Sequence, residues 1–168
     1  MSASEYRPPA KAKVAGAIGA SAAIAAAIAL ALPGLKHDEG KKNDPYLDIV
    51  RVPTVCYGHT GGVNMRMRYT DAQCDKLLTG DAETHLLGAL RCVPALENRP
   101  YQLAAVTRLT FNIGVGGFCR SSIAKRMNAG QWKQGCNNFL AWDRAGGRVV
   151  RGLSLRRQRE RAMCLTGL

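Results

Sequence analysis

The stretch Glu39–His59, which reads EGKKNDPYLDIVRVPTVCYGH, decides the fold class. Pro45 and the alternating apolar residues after it predict that the chain leaves a helix end and becomes extended. Glu39 would then lie at a helix terminus, Asp48 on or beside a strand, and Thr54 on the returning strand. Two carboxyl groups on separate elements can flank one substrate bond, one protonated and the other ionised. Glycoside hydrolysis requires such a pair, so the stretch predicts an α+β domain with this chemistry.

These three residues have the spacing E-x8-D-x5-T, and Gly58-His59 follows them. The pattern resembles the catalytic signature of the T-even type of phage lysozymes. The resemblance continues in FNIGVGGF (Phe111–Phe118) and in a terminal helix around Trp142–Cys164, so it covers residues 36–168. It implies an α+β, mainly helical, lysozyme-like domain of two lobes, a small β-hairpin lobe and a helical lobe.

The resemblance also implies roles for the three residues. Glu39 would be the general acid that protonates the glycosidic oxygen, so it must hold a proton when it reacts. Asp48, ionised, would hold or activate the attacking water, and the Thr54 hydroxyl would help to position that water. The family favours inversion at the anomeric carbon, although only the separation of the carboxyl groups decides between inversion and retention.

Four further residues have weaker assignments. Phe111 and Ser121 fall where the resemblance places residues that contact substrate, although Phe111 could equally belong to the core. His59 is expected to have a structural role rather than to act as a base. We expect it to contact Asp81, on the helix that follows, and to form a buried pair with it.

Several helices can be predicted after the small lobe. Thr70 to Gln73 has the T-x-x-Q form of a capping box and predicts a helix of about twenty residues that ends before Pro94. Helices are also predicted over 99–112, 121–128, 131–140 and 154–165. The last contains four arginines, which are interpreted as a solvated face.

The six cysteines all follow residue 55, and their even number suits an oxidising compartment such as the periplasm. Fifteen pairings are possible for six cysteines, and the sequence does not select one. Sequential pairing is preferred because it joins adjacent elements; a mixture with free thiols, or a regulatory Cys56, stays open. The spacing is not that of a zinc site, so no metal is expected. The preferred pairs are Cys56–Cys74, Cys92–Cys119 and Cys136–Cys164.

The N-terminal region is basic and then apolar. Residues 1–13 form a basic segment, and 14–32 contain no charge, ten alanines and only six larger aliphatic residues. As a helix this run would be about 28 Å long, enough to cross a bilayer, and Pro33-Gly34 is expected to end it. The basic flank places the N-terminus in the cytoplasm while the helix is anchored.

Three interpretations of residues 14–32 are open. They could be a cleaved signal peptide, since Ala29-Leu30-Ala31 has the small-x-small form. They could be a permanent anchor. They could also be a signal-arrest-release segment, which is exported uncleaved and later leaves the membrane. The alanine and glycine content favours release, after which the enzyme would act in the periplasm.

The formal charge of +12 indicates a polyanionic partner. No nucleic-acid motif is present and aromatic residues are few, but the charge alone does not choose between nucleic acid and peptidoglycan. The resemblance implies peptidoglycan as the partner and no nucleic acid. No cofactor is implied, and a monomer is expected. The predicted function is hydrolysis of the β-1,4 bond between N-acetylmuramic acid and N-acetylglucosamine, which would cause host cell lysis. The alternatives are a lytic transglycosylase acting on the same bond and a non-catalytic, membrane-anchored module that binds wall polymer.

Overall fold

The computed structural model describes residues 22–168. This part of the chain is mainly helical with a small β-hairpin lobe, as predicted, and it also contains a second small antiparallel sheet. The helices are α1 (Ala22–Glu39), α2 (Asp71–Cys92), α3 (Pro100–Ile113), α4 (Val115–Cys119), α5 (Ser122–Asn128), α6 (Trp132–Asn137) and α7 (Arg151–Leu165). The strands are β1 (Lys42–Leu47), β2 (Pro53–Cys56), β3 (Arg144–Ala145) and β4 (Arg148–Val149). Two short 3₁₀ turns lie at Pro94–Leu96 and Asn138–Ala141.

Helix α1 passes through Pro33 and ends only at Glu39. The predicted stop at Pro33-Gly34 is therefore wrong. An interior proline costs a helix about 3 kcal/mol, but burial of the adjoining turns opposes this cost. Ala27, Ala31 and Leu35 are all fully buried, six and two residues before the proline and two residues after it. Packing of this face against the rest of the protein outweighs the local preference of the sequence.

Residues 14–21 of the predicted apolar helix lie outside the described part of the chain. Within residues 22–168, no helix is both long enough and apolar enough to cross a bilayer. Residues 22–32, the described part of this segment, contribute buried side chains to the hydrophobic core.

The small lobe is the hairpin of β1 and β2, paired antiparallel with Tyr46 opposite Thr54. Residues 48–52 form the turn between the strands, and a single bridge joins Val55 to His59 beyond them. The glycine-rich stretch 60–68 is a loop.

Helix α2 begins with the predicted capping box. The Thr70 hydroxyl accepts a hydrogen bond from the Gln73 backbone N–H (3.2 Å), and the Gln73 side chain accepts one from the Thr70 N–H (2.8 Å). The helix runs for 22 residues and leads from the small lobe into the helical lobe. Both its start and its end before Pro94 agree with the prediction.

Helix α3 lies at the centre of the helical lobe, and every residue from Gln102 to Thr110 is buried. It packs against α1, α2 and α7. A helix that is buried on all sides needs small residues at its close contacts, and Ala104 and Ala105 are fully buried.

The C-terminal part differs from expectation in two ways. Helix α7 starts at Arg151 rather than near Ser154, and a hairpin of β3 and β4 precedes it. Gly146-Gly147, both at positive φ, make the turn of this hairpin. The Gly-Gly pair between short strands is a hairpin signal that the sequence contained.

All three predicted disulfides are present. Each joins neighbouring elements: β2 to α2, α2 to α4, and α6 to α7. Among the described residues no cysteine is free, so the alternatives with free thiols are wrong. None of the disulfides reaches α1, so apart from its chain connection to β1 the helix is held to the rest of the domain by non-covalent contacts.

Candidate active site

Glu39 is the last residue of α1, followed by Gly40 in a left-handed conformation (φ 68°). This change of direction separates the helix from β1 and leaves the Glu39 side chain partly exposed, at 24%. Arg156 of α7 donates a hydrogen bond from Nη1 to Glu39 Oε1 (2.7 Å). The other carboxylate oxygen has no hydrogen-bond partner among residues 22–168, so it can face a substrate.

Asp38, next to Glu39, is nearly buried (side chain 3% exposed) and contacts three arginines. Arg108 and Arg159 donate hydrogen bonds to its two oxygens at 2.7 and 2.6 Å, and Arg156 Nε lies 3.4 Å away. Burial opposes ionisation of this carboxyl, but the hydrogen bonds from Arg108 and Arg159 outweigh burial and lower its pKa. Asp38 thus ties the end of α1 to α3 and α7.

The arginine network continues into the core of α7. Arg156 Nε donates to Glu160 Oε1 (3.0 Å), and Arg157 Nε lies 3.1 Å from Glu160 Oε2. Arg157 and Glu160 are completely buried. Burial raises the pKa of Glu160, although Arg157 and Arg156 oppose that shift. The interpretation of the α7 arginines as a solvated face is therefore wrong for Arg156 and Arg157.

Asp48 and Thr54 are brought together by the backbone of Val52. Asp48 Oδ1 accepts hydrogen bonds from the N–H groups of Val50 (2.9 Å) and Val52 (2.8 Å). The Asp48 N–H and the Thr54 hydroxyl both donate to the Val52 carbonyl, at 3.0 and 2.9 Å. This arrangement leaves Asp48 Oδ2 without a protein partner in the described chain and leaves the acceptor sites of the Thr54 hydroxyl open. Both groups therefore keep an unused acceptor site that a water molecule could occupy, although Thr54 itself is only 4% exposed.

His59 and Asp81 make the expected contact, with Nδ1 of the ring 2.8 Å from Oδ2 of the carboxylate. The ring's Nε2 lies 2.7 Å from the Gly61 carbonyl oxygen, so both ring nitrogens are engaged. The side chains are 16% and 30% exposed, so the pair is only partly buried. It connects the small lobe to α2.

The structure gives Phe111 and Ser121 local contacts. The Phe111 ring lies 5.0 Å from that of His85, and burial lowers the pKa of His85 although Asp81 and Glu39 oppose this shift. Ser121 is the N-cap of α5: its hydroxyl donates to the Phe118 carbonyl and accepts from the Ala124 N–H. Substrate contact at Phe111 or Ser121 stays a prediction.

Sequence reasoning missed the residues that surround Glu39. Asp38, Arg108, Arg156 and Arg159 fix the end of α1, yet Arg156 and Arg159 were interpreted as solvent-facing charges and the other two were given no role. One signal was available: Arg156 and Arg159 are three residues apart and share a helix face. Their acidic partner is 118 to 121 residues away in sequence, which no local pattern specifies.

A sequence model of the phage lysozyme family matches residues 36–160. The SAR-endolysin of Enterobacteria phage P21 is 36% identical over 171 residues, covering 95% of this chain and 98% of its own length. That of Pseudomonas phage phiKMV is 38% identical over 148 residues, covering 83% and 89%. Among solved structures, the active form of the phage P1 endolysin Lyz has a TM-score of 0.73 at 28% identity, covering 82% of this chain and 84% of its own. The L86M mutant of P22 lysozyme has a TM-score of 0.72 at 30% identity, covering 81% and 95%.

Proposed function

Because the chain belongs to the phage lysozyme family, and is therefore a muramidase-type glycoside hydrolase acting on peptidoglycan, we propose that it is an endolysin that hydrolyses the β-1,4 bond between N-acetylmuramic acid and N-acetylglucosamine. The observation that carries this proposal is the position of Glu39 at the end of α1, with one oxygen held by Arg156. Its turnover would lyse the host cell, and the enzyme would act as a monomer.

Glu39 acts as the general acid in this proposal. Its proton passes to the glycosidic oxygen as the bond to the anomeric carbon breaks. The hydrogen bond to Arg156 fixes the orientation of the carboxyl group, and α1 fixes its position. The N-acetylglucosamine unit leaves with the transferred proton.

Asp48 and Thr54 position the attacking water. Asp48 accepts hydrogen bonds from two backbone N–H groups on Oδ1, which fixes the carboxyl group and leaves Oδ2 without a partner in the described chain. Water that donates to Asp48 and to the Thr54 hydroxyl would attack the face of the sugar opposite the leaving group. That route inverts the anomeric centre, and NMR of the first-formed reducing end tests it.

The reaction is tested first by turbidity of outer-membrane-permeabilised bacteria, with mass spectrometry of the products. Reducing muramic acid ends support hydrolysis. Anhydro-muramyl ends would instead identify a lytic transglycosylase, in which the sugar's own hydroxyl replaces water. Binding without loss of turbidity would contradict both reactions.

We expect Asp48→Asn to lower the rate of wall hydrolysis more than Thr54→Ala does. The amide cannot accept the proton of the attacking water, whereas loss of the hydroxyl removes one of two acceptors for it. A loss of about 10²-fold for Asp48→Asn is at the lower end of general-base effects, and Thr54→Ala should lose about tenfold or less. Rates of reducing-end release, with circular dichroism to verify folding, measure both. Equal and small losses would contradict the water-positioning role.

Residues 14–32 would export the enzyme and then leave the membrane as a signal-arrest-release segment, in keeping with the SAR-endolysin name of its relatives. Support comes from α1. Cleavage after Ala31 would remove Ala27 and Ala31, both fully buried, from the core. The packed enzyme thus uses residues that a signal peptidase would discard, and it would reach the periplasm uncleaved.

We expect the triple variant Gly16→Leu, Gly19→Leu, Ser21→Leu to stay longer in the membrane and to delay lysis. These residues precede the described part of the chain. Each leucine at a helix centre favours insertion by roughly 0.3–0.6 kcal/mol, so three of them deepen a weakly held segment. Membrane fractionation and the onset time of lysis measure the effect.

The control for this experiment replaces the same three residues by alanine, which changes their hydrophobicity little. N-terminal sequencing of the periplasmic enzyme tests the alternative, in which the segment is cleaved. A mature chain that begins at Leu32 would show a cleaved signal peptide and would contradict release.

A further inference from the structure

A pocket of about 470 Å³ opens at the end of the helical lobe. It lies between the start of α3, the start of α6 and the residues that follow α7. Its lining includes Arg99, Trp132, Lys133, Gln134 and the tail residues Gly167 and Leu168. Neither the proposed chemistry nor the core uses these polar side chains.

Arg99 is the most informative residue of this pocket. Its guanidinium carbon lies 4.2 Å from the centre of the Trp132 ring, so the cation is stacked on the indole face. It is half-buried, yet within residues 22–168 its side chain makes no hydrogen bond or ion pair. Stacking restricts the planar group and leaves its N–H edge exposed, which is the geometry that binds a carboxylate through two parallel hydrogen bonds.

Lys133 and Gln134 add further polar groups without protein partners. Both are exposed, and neither side chain has a hydrogen bond or an ion pair among the described residues. Together with Arg99, Lys133 places a second positive charge near one aromatic ring, and no carboxylate of residues 22–168 forms an ion pair with either cation. Two cations without ion-pair partners at one concave surface attract an anionic ligand.

The walls of the pocket are fixed by covalent and polar contacts. The disulfide Cys136–Cys164 joins α6 to α7. Gln102 of α3 donates hydrogen bonds to the carbonyls of Cys164 (2.7 Å) and Thr166 (2.9 Å). Both contacts hold the tail against the start of α3, so the pocket needs no large rearrangement to accept a ligand.

The pocket is separate from the catalytic cleft. Arg108, which contacts Asp38 beside Glu39, lies nine residues after Arg99 in sequence. At a rise of about 1.5 Å per residue, this is roughly 13 Å along α3. A ligand at Arg99 therefore does not share hydrogen-bond contacts with Glu39.

We propose that the pocket formed by Arg99, Trp132 and Lys133 binds the carboxylate groups of peptidoglycan peptide stems. This inference rests on the proposed function, because it takes peptidoglycan as the substrate. Arg99 would bind a stem carboxylate bidentately, Lys133 would add a second charge, and the indole edge would contact the apolar part of the stem. The contact would hold the enzyme on the insoluble wall while Glu39 acts at a separate point.

The test compares two substrates with three variants of the full chain. The substrates are intact sacculi and glycan strands from which an amidase has removed the peptide stems. Arg99→Ala and Lys133→Glu should each raise KM on intact sacculi by on the order of tenfold, the loss typical of a charge-assisted hydrogen bond. The value of kcat should stay within about twofold, and both constants should be unchanged on stripped strands.

The matched control is Lys76→Glu, an exposed lysine of α2 that undergoes the same charge change as Lys133→Glu. An equal rise in KM for this control would mean that overall charge is responsible, and would overturn the proposal. So would unchanged KM values for the pocket variants, or an equal loss on stripped strands. Weaker binding to DNA or to anionic vesicles, without any change on sacculi, would likewise overturn it.

Failure of this inference can be told apart from failure of the proposed function. If the unaltered enzyme released no sugar ends from either substrate, hydrolysis would be refuted. Co-sedimentation of the variants with intact sacculi would still measure whether the pocket binds peptide stems.

Discussion

Glu39→Gln is expected to abolish wall hydrolysis while leaving the fold intact. An amide cannot supply the proton that the glycosidic oxygen needs, and general-acid catalysis contributes typically about 10²–10⁴-fold. Glutamine has nearly the same shape, and its carbonyl oxygen can still accept the hydrogen bond that Arg156 donates to Glu39 at 2.7 Å. Reducing-end release measures the rate, and thermal unfolding verifies that the variant folds.

Glu83→Gln is the matched control, since Glu83 is an exposed residue of α2 whose side chain makes no hydrogen bond or ion pair within the described chain. It makes the same change of charge and should keep normal activity. Full activity of Glu39→Gln would remove Glu39 from the catalytic mechanism.

Asp38→Asn is expected to destabilise the folded enzyme by about 3–5 kcal/mol, the range found when one partner of a buried ion pair is removed. The substitution keeps the size of the side chain but leaves Arg108, Arg156 and Arg159 without the negative charge that they share. Because no disulfide holds α1, this network and the apolar face of α1 must keep it in place. Urea denaturation at pH 7 measures the free energy of unfolding.

Asp75→Asn provides the comparison for Asp38→Asn. Asp75 pairs with Lys36 at 2.8 Å, but both side chains are more than one-third exposed, and such surface pairs contribute at most about 1 kcal/mol. If Asp38→Asn lost no more stability than Asp75→Asn, the buried network would not hold α1.

The contribution of Asp38 to the stability of the folded protein should decrease as the pH is lowered. The pKa of Asp38 is lower in the folded protein than in the unfolded chain, where that of an aspartate is about 3.9. Its contribution is therefore complete above that unfolded value and is lost as the pH falls through the lower, folded value. The difference in the free energy of unfolding between the unaltered enzyme and Asp38→Asn should shrink as the pH is lowered below about 4.

Local patterns predicted the parts of this fold that depend on neighbouring residues. Thr70 and Gln73 form their capping box because both partners lie within one helical turn. Proline and apolar alternation placed Glu39 at a helix end, Asp48 on or beside a strand and Thr54 on the returning strand; Asp48 lies in the turn directly after β1. Sequential pairing of the cysteines agreed with the structure because each pair joins adjacent elements.

Features that depend on distant residues were not predictable in this way. Pro33 signals a helix end, and only the burial of Ala31 and Leu35 on either side explains why α1 continues. Arg156 and Arg157 lie in a polar run that ordinarily faces solvent. Their burial depends on Asp38 and Asn112, which reach them from α1 and α3.

The fit of α1 against its neighbours also constrains how this segment can change during evolution. Ala27 and Ala31 are fully buried, and a Cβ atom at Gly34 would overlap the Arg108 guanidinium. If the segment also resides in lipid before release, the same small residues are selected twice, once for weak retention in the membrane and once for close packing in the enzyme. Within the described residues of the segment, larger side chains are then tolerated at outward positions such as Ala22, Ala25 and Ala29. A lysis delay engineered within α1 should use those outward positions, because larger side chains on the inner face would damage the enzyme whose action is being delayed.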